Sequence, residues 1–409
     1  MAGRRDDQRN PGAIKVALIS SGLGNSSRGF EISTARWYRA LRKHTKLDVR
    51  LYCGGDYPDG IKLWNIPRNS IWTRPLLYWP FFGERTRWEM TYVIEQFSFW
   101  TALNFELLRW KPDVVWLKDV PLAHLVLFAR SLFALKFKMV FSNGGGFKPT
   151  TYKPFDVVQQ IQRQSYQEAL NLGTPPEKLE LITNCIPAMT STRNRRDVRL
   201  ALGLDESDWV VVCVAAWNKY HKRIDYLLEE VARISDPRVK LILCGTPEAE
   251  TRGLQELGWN LLGDRAKWLT VSDDEVGDIL RASDVFVLPS LRECLGNALM
   301  EAAMSGLPVA THPHDAARFG IEDDFWMIDL SVPGNLAKRL LWLREHPPEF
   351  ERLSKLKDDV ARRFDEGAQA AKFEKMVLRL LPGAAQTSAP GGSHMDGERT
   401  LCSGETQLG

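Results

Sequence analysis

The sequence predicts an α/β protein built from two parallel-sheet domains that face a central cleft. Short apolar runs alternate with segments of helical spacing along most of the 409 residues, which is typical of a parallel sheet covered by helices on both faces. The alternation stops at a polar, basic stretch, residues 190–199 (TSTRNRRDVR), and then restarts. Ligands of such folds collect at the carboxyl ends of the strands, so we expect the site in the cleft.

The first domain is predicted to cover residues 13–190, after a charged leader at 1–12 that we expect to be disordered. Short apolar runs predict its strands at 14–19, 48–53, 113–117, 138–142 and 179–183. Helical spacing predicts helices at 30–41 and 156–172, and one more between the third and fourth strands.

The second domain is predicted to cover residues 191–365, with 190–199 as the linker. Its predicted strands are 209–215, 239–244 and 284–288, and its predicted helices are 224–234, 272–282, 297–304, 331–346 and 348–364. Residues 383–409 are rich in Gly, Ser and Pro, and we expect them to form a disordered tail.

Composition narrows the class of protein. A net charge of +3 gives no argument for nucleic-acid binding, and we expect no nucleic-acid partner. The six cysteines form no CxxC pair and the histidines show no ligand spacing, so we expect reduced thiols, no metal and a cytoplasmic protein. The first dozen residues do not resemble a signal peptide, and no apolar run is long enough for a spanning helix.

Residues 288–310 (LPSLRECLGNALMEAAMSGLPVA) are the most informative segment. A buried strand ends at Pro289, a loop turns at Gly296, and a helix follows, with Glu293 in the loop and Glu301 in the helix. The first-turn N–H groups of such a helix form an anion site, and nearby carboxylates suit hydroxyls, as in a nucleotide sugar. An ordinary βαβ unit with two solvated glutamates is the alternative.

Residues 292–309 of that segment resemble the E-x7-E motif of retaining glycosyltransferases with the GT-B fold, in particular the GT4 family, with Leu295 where the family often has Phe. The resemblance implies two Rossmann-like α/β/α domains facing a central cleft. It implies that Glu293 contacts the donor sugar and Glu301 the ribose, with Leu295, Gly296 and Asn297 also at the donor. It further implies a retaining transfer from a UDP- or GDP-sugar, without a cofactor or metal, and a final helix within 366–382 that crosses back to the first domain.

Residues 214–231 (VAAWNKYHKRIDYLLEEV) resemble the same family's lysine segment. The resemblance places Lys222 on the donor diphosphate, where a compact cation stabilises the charge of the leaving phosphate. The family's neighbouring arginine is missing, because Trp217 and Asn218 stand there, and Lys219 or Arg223 could supply the second cation. A solvated basic turn is the alternative.

Two glycine-containing loops complete the expected donor site. Residues 20–31 (SSGLGNSSRGFE) place Gly22 and Gly24 between the first strand and a helix, where the backbone can approach a ligand closely. A plain tight turn is the alternative, and the spacing is not the GxGxxG of dinucleotide-binding proteins. Gly245 lies in a strand end that resembles the family's V-G-x-G-P and is expected beside the nucleotide.

Asn143 stands in FSNGGG, where many members of the family have a histidine near the sugar. An amide can bind a hydroxyl but cannot act as a base, which fits a mechanism in which the departing phosphate accepts the acceptor proton. We therefore expect Asn143 among the catalytic residues, and Lys118 and Asp119 on the acceptor side. The missing histidine and arginine leave open a nucleotide-sugar-binding protein without turnover, or a same-fold epimerase or hydrolase.

The acceptor side of the sequence is rich in tryptophan. Residues 64–116 hold seven of the fourteen tryptophans, interleaved with Arg68, Arg74, Arg85 and Arg87. These aromatics belong either to the core or to a surface that takes a glycan, a lipid-linked glycan or a small molecule. A lipid-linked acceptor would bring the protein into peripheral contact with the inner face of the membrane.

Overall fold

The computed structural model describes residues 12–26, 29–73, 75, 84–144, 147–187, 189, 191 and 193–381. It confirms the predicted α/β class, with two parallel sheets covered by helices. The predicted tail and all but the last residue of the predicted leader lie outside the described residues.

The first sheet has seven parallel strands in the order β3-β2-β1-β4-β5-β6-β7. The strands are β1 (Lys15–Ser20), β2 (Asp48–Cys53), β3 (Ile61–Lys62), β4 (Val114–Leu117), β5 (Lys138–Asn143), β6 (Val157–Gln160) and β7 (Leu179–Leu181). The helices are α1 (Gly29–His44), α2 (Glu84–Trp110), α3 (Val120–Leu132) and α4 (Arg163–Asn171). Alternating residues of β1 face opposite sides, so Leu18 packs with α1 residues and Ile19 with α2 residues.

The second sheet has five parallel strands in the order β10-β9-β8-β11-β12. The strands are β8 (Trp209–Val214), β9 (Val239–Cys244), β10 (Ala266–Leu269), β11 (Val285–Leu288) and β12 (Val309–Thr311). The helices are α5 (Arg195–Ala201), α6 (Ile224–Ala232), α7 (Thr251–Leu262), α8 (Val276–Ala282), α9 (Asn297–Met304), α10 (Asp315–Ile321), α11 (Asn335–Glu345), α12 (Phe350–Phe364) and α13 (Glu366–Leu380).

Helix α13, the last one in the described part of the chain, packs on the first domain. Phe373 is fully buried and its ring lies 5.2 Å from the ring of Trp37 on α1. Met376 and Val377 belong to the same apolar cluster as Leu18 and Trp37. Helix α13 therefore connects the second domain to the core of the first.

Two predictions about the elements are wrong. Residues 156–172 are not one helix, because β6 comes first and α4 begins only at Arg163. The side chain of Gln159 explains the strand, since it accepts from Trp116 Nε1 at 2.7 Å and donates to the carbonyl of Ile182 at 2.8 Å. The predicted linker is also shorter, because Asn194 caps a helix that begins within it at Arg195.

The structure also contains elements that were not predicted: β3, β10, α2, α7 and α10. The predicted helix at 272–282 begins with a 3₁₀ turn, and α8 starts only at Val276. Among the described residues, no helix combines the length and the apolar content that crossing a bilayer requires.

Candidate active site

A cleft of about 1730 Å³ lies between the carboxyl ends of the two sheets. Gly24, Arg36 and Lys118 line it from the first domain, and Lys222 and Glu293 line it from the second. The strands deliver these residues because both sheets are parallel, so the loops after β1, β4, β8 and β11 open on the same space.

Glu293 and Lys222 form an ion pair on the second domain's wall. The loop after β11 carries Glu293, whose side chain is only 6% exposed, and the turn before α6 carries Lys222, whose Nζ donates to Glu293 Oε1. His221 Nε2 lies 3.8 Å from the other carboxylate oxygen. Burial alone would raise the pKa of Glu293, but the attraction and hydrogen bond of Lys222 hold that pKa below its ordinary value.

The helix α9 begins directly beside this pair. Gly296 precedes it with φ +73°, a left-handed conformation that favours glycine. Leu295 is buried in the core under the loop, and Asn297 is the first helical residue. All three line the cleft, so the first turn of α9 presents its N–H groups to a ligand there.

Glu301 is held from across the cleft by Arg36, a residue that the sequence analysis did not identify. Arg36 Nη1 donates to Glu301 Oε1 at 2.5 Å, and its Nη2 donates to Asp273 Oδ1 at 2.6 Å. The side chains of Arg36 and Glu301 are each 5% exposed. The sequence does carry a signal for Arg36. It stands at helical spacing between Ser33 and Ala40 on the buried face of α1, and a buried arginine needs a charged or polar partner.

The glycines of the two loops divide into different roles. Gly24 (φ +85°) lines the cleft and crosses the backbone of Gly55 so closely that a Cβ would overlap it. Gly245 also lines the cleft, and its Cβ would overlap the carbonyl oxygen of Ala215. Gly22 does not line the cleft, because it packs under the loop against Glu31 and Arg68.

The first domain's wall of the cleft contains Lys118 and Asp119, both predicted as acceptor-side residues and both buried. Lys118 Nζ donates to Ser33 Oγ at 2.7 Å, and Asp119 Oδ1 accepts from the hydroxyl of Tyr92. Burial lowers the pKa of Lys118 to about 8 and raises the pKa of Asp119.

A chain of hydrogen bonds runs from Lys118 to the start of α9 on the second domain's wall. Lys118 donates to Ser33, Ser33 Oγ donates to Asn184 Oδ1 at 3.0 Å, and Asn184 Nδ2 donates to Asn297 Oδ1 at 3.1 Å. Since Asn297 opens α9, the chain connects the two walls of the cleft.

Asn143, predicted among the catalytic residues, is buried and is not among the residues that line the cleft. Its Nδ2 donates to the hydroxyl of Tyr152 at 2.6 Å and to Gln160 Oε1 at 2.9 Å, and its Oδ1 accepts from the N–H of Phe147 at 3.0 Å. Both amide hydrogens are used inside the first domain, so Asn143 holds the loop after β5 rather than a substrate.

Arg223 also lies away from the cleft. Its Nη1 donates to the carbonyls of Pro289 and Leu330 at 3.2 and 2.8 Å, and its guanidinium lies 4.1 Å from the ring centroid of Tyr226. It therefore supports the Glu293 loop from behind and supplies no cation to the cleft. Lys219, the other candidate, is exposed and does not line the cleft.

No group of three or more His, Cys, Asp and Glu residues able to hold a metal ion occurs in the described part of the chain.

The chain is similar to known glycosyltransferases. The model of the family "Glycosyl transferases group 1" matches residues 208–346. The gpi3 subunit of phosphatidylinositol N-acetylglucosaminyltransferase from Schizosaccharomyces pombe is 31% identical over 105 residues, which are 25% of this chain and 23% of that protein. N-acetyl-alpha-D-glucosaminyl L-malate synthase from Bacillus anthracis is 28% identical over 157 residues, which are 37% of this chain and 40% of that protein.

Among solved structures, Anabaena HepE in complex with UDP and glucose is similar over 90% of this chain and 100% of its own. The TM-score is 0.69 and the sequence identity is 16%, so the likeness shows the fold. The alignments with these two curated relatives span less than half of the length of either relative.

Proposed function

Since residues 208–346 match the model of the group 1 glycosyltransferases, we propose that the protein transfers a sugar from a nucleotide-diphosphate sugar to a hydroxyl group of an acceptor. The observation that carries the proposal is the arrangement of Glu293, Lys222, the first turn of α9 and Glu301 along one wall of the cleft. We propose a UDP- or GDP-sugar as the donor and retention of the anomeric configuration.

The donor residues take their roles from their chemistry. Lys222 and the N–H groups at the start of α9 would stabilise the charge on the departing diphosphate. Glu293 would then exchange its pair with Lys222 for contacts with sugar hydroxyls, and Glu301 would accept from the ribose. Gly24 would let the opposite loop approach the donor. The departing phosphate would accept the acceptor proton, because the amide of Asn143 cannot act as a base.

The acceptor would enter from the first domain, with Asp119 as the hydroxyl contact. The names of the two curated relatives support two acceptor classes, a small molecule such as L-malate and a lipid such as phosphatidylinositol. A longer glycan is a third class, which the cleft volume of about 1730 Å³ can accommodate.

An exposed apolar surface supports a lipid-linked acceptor and a membrane contact. Phe97 and Phe105 on α2 are 53% and 68% exposed, and Phe128 and Leu132 on α3 are 57% and 60% exposed. Trp100 joins them, with its ring 5.6 Å from that of Phe97 and 6.3 Å from that of Phe128. We call these five residues the α2–α3 face.

The charge of this region favours an anionic bilayer as the partner of the α2–α3 face. Residues 60–140 carry eleven Lys and Arg against six Asp and Glu, although the whole chain is only +3. We expect co-flotation with phosphatidylglycerol vesicles and its loss in Phe97→Ser/Phe105→Ser, with Trp259→Ser, a 70% exposed residue of the second domain, as the control. Absence of binding to anionic vesicles would contradict the membrane contact.

A thermal-shift panel of UDP, GDP, ADP and their sugars tests the donor proposal, because a ligand that binds only the folded state raises the unfolding temperature. We expect a shift with UDP or GDP that Lys222→Met removes and Lys219→Met retains, since Lys219 is exposed on the same turn. A shift that is equal in both variants would contradict the proposed role of Lys222. Binding without turnover in any acceptor screen would indicate a nucleotide-sugar-binding protein.

A further inference from the structure

Lys118 carries a buried ammonium group that forms no ion pair with any residue in the described part of the chain. Its residue is 3% exposed and it lines the cleft. No carboxylate lies within 4 Å of its Nζ among the described residues, and its one hydrogen bond goes to Ser33. An ammonium has three donors, so two N–H groups of Lys118 remain unused within the described part of the chain.

The carboxylates nearby are already engaged. Asp119 accepts from the hydroxyl of Tyr92, and Arg68 pairs with Glu95 at 2.6 Å and with Glu31 at 3.4 Å. Neighbouring charges do not offset the burial of Lys118, because burial lowers its pKa to about 8. A buried cation without an ion pair destabilises the ligand-free protein.

The position of the ammonium is fixed rather than loose. Ser33 accepts from its Nζ and itself donates to Asn184, which donates to Asn297 at the start of α9. The ring centroids of Phe30 and Trp116 lie 5.7 and 5.4 Å from the same Nζ. Lys118 therefore holds its ammonium in the part of the cleft that Gly144 and the start of α9 also line.

We propose that Lys118 binds an oxyanion of a substrate, a phosphate or a carboxylate, through its Nζ. The proposal rests on the proposed function only in treating the cleft as the substrate site. Two sources share this chemistry: an anionic group on the acceptor or transferred sugar, and the diphosphate of the donor. In the second case Lys118 replaces the second cation that Arg223 does not supply.

Sulfate is a suitable probe, because it stays fully ionised over the pH range in which Lys118 titrates. We expect sulfate at constant ionic strength to raise the unfolding temperature of the wild-type protein, and this effect to weaken as the pH rises through about 8. In Lys118→Met we expect sulfate to bind roughly ten- to a hundredfold more weakly at pH 7, the range for a lost charged hydrogen bond. Lys219→Met is the control, and equal sulfate binding in wild type and Lys118→Met overturns the proposal.

The stability of Lys118→Met separates an anion site from a structural lysine. Methionine has a similar length and no charge, so the ligand-free variant should unfold at a higher temperature than the wild type. A structural role for the ammonium predicts the opposite, and a lower unfolding temperature together with unchanged sulfate binding overturns the proposal.

Titrations with UDP and GDP identify the source of the oxyanion. A tenfold or larger loss of nucleotide affinity in Lys118→Met assigns the site to the donor diphosphate. Unchanged nucleotide affinity, with sulfate still binding wild type in saturating nucleotide, assigns it to the acceptor or sugar. If neither nucleotide binds but Lys118→Met still abolishes sulfate binding, the oxyanion site stands and the proposed function fails.

Discussion

Replacing Arg36 by methionine should destabilise the protein strongly, because Arg36 is the buried cation that joins the two domains. Its side chain and that of Glu301 are each 5% exposed, and the pair is 2.5 Å long. Removing one member leaves the Glu301 carboxylate buried without its cation, which costs about 3–5 kcal/mol. Asp273, 28% exposed, can recover solvent and adds less.

Arg39 provides the matched control on the same helix. It pairs with Asp273 at 3.2 Å and with Asp274 at 3.6 Å, but its side chain is 47% exposed and that of Asp274 is 90% exposed. Exposed pairs contribute about 0–1 kcal/mol, so Arg39→Met should unfold nearly as the wild type does.

Differential scanning calorimetry and urea unfolding followed by tryptophan fluorescence measure both effects. A double variant, Arg36→Met/Glu301→Gln, removes the isolated carboxylate and should recover a large part of the stability lost in Arg36→Met. The reasoning is refuted if Arg36→Met and Arg39→Met have the same stability, or if adding Glu301→Gln lowers the stability of Arg36→Met further.

The other predictions concern single residues. Gly245→Ala should lower the free energy of unfolding by about 1–3 kcal/mol, because the new Cβ would overlap the carbonyl oxygen of Ala215. Gly253→Ala on α7 is the control: a Cβ there meets no atom within 4 Å, so the free energy of unfolding should rise by about 0.5–1 kcal/mol. Equal thermal stability of the two variants would contradict this prediction. Asn143→Ala should lower the free energy of unfolding by about 1–3 kcal/mol, because its buried partners lose their hydrogen bonds. Calorimetry should show this loss of stability, and a nucleotide titration should show unchanged nucleotide affinity. A loss of nucleotide affinity without a loss of stability would support a catalytic role for Asn143 instead. Burial lowers the pKa of Lys118 to about 8 in the folded protein, against 10.5 in the unfolded chain, so between these pH values the unfolded state binds more protons. The free energy of unfolding should therefore rise with pH by about 3 kcal/mol across this range. Urea unfolding of Lys118→Met should lack this rise, and a fall with pH in the wild type would contradict the prediction.

The second domain's wall of the cleft could be predicted from sequence because it is local. Glu293, Gly296 and Glu301 belong to one strand–loop–helix unit, and the short-range rules for strands, left-handed glycines and helix starts place them together. Lys222 comes from a separate turn, yet the apolar run after it predicts the helix that positions it.

The opposite wall could not be predicted in the same way, because it depends on how the two domains pack. Arg36 and Glu301 are 265 residues apart in the sequence, so no local sequence pattern predicts their contact. Asn143 was predicted because it stands where many members of the resembling family have a histidine, but its amide donates to Tyr152 and Gln160, and such tertiary contacts are not visible in the sequence. The strand at Val157–Gln160 was missed because two of its four residues are glutamines, which do not form an apolar run. In the structure both glutamines are buried.

The most direct test of the proposed donor site is the release of nucleoside diphosphate from UDP- and GDP-sugars without acceptor, followed by ³¹P NMR. A cleft that holds the diphosphate with Lys222 and the sugar with Glu293 predicts slow hydrolysis of one donor. Lys222→Met removes the cation that stabilises the leaving group, so the hydrolysis rate should fall roughly a hundredfold. The hydrolysis rate of Lys219→Met should match that of the wild type. A rate that survives in Lys222→Met and Glu293→Gln, or no binding of any nucleotide sugar by the wild type, would contradict the assignment.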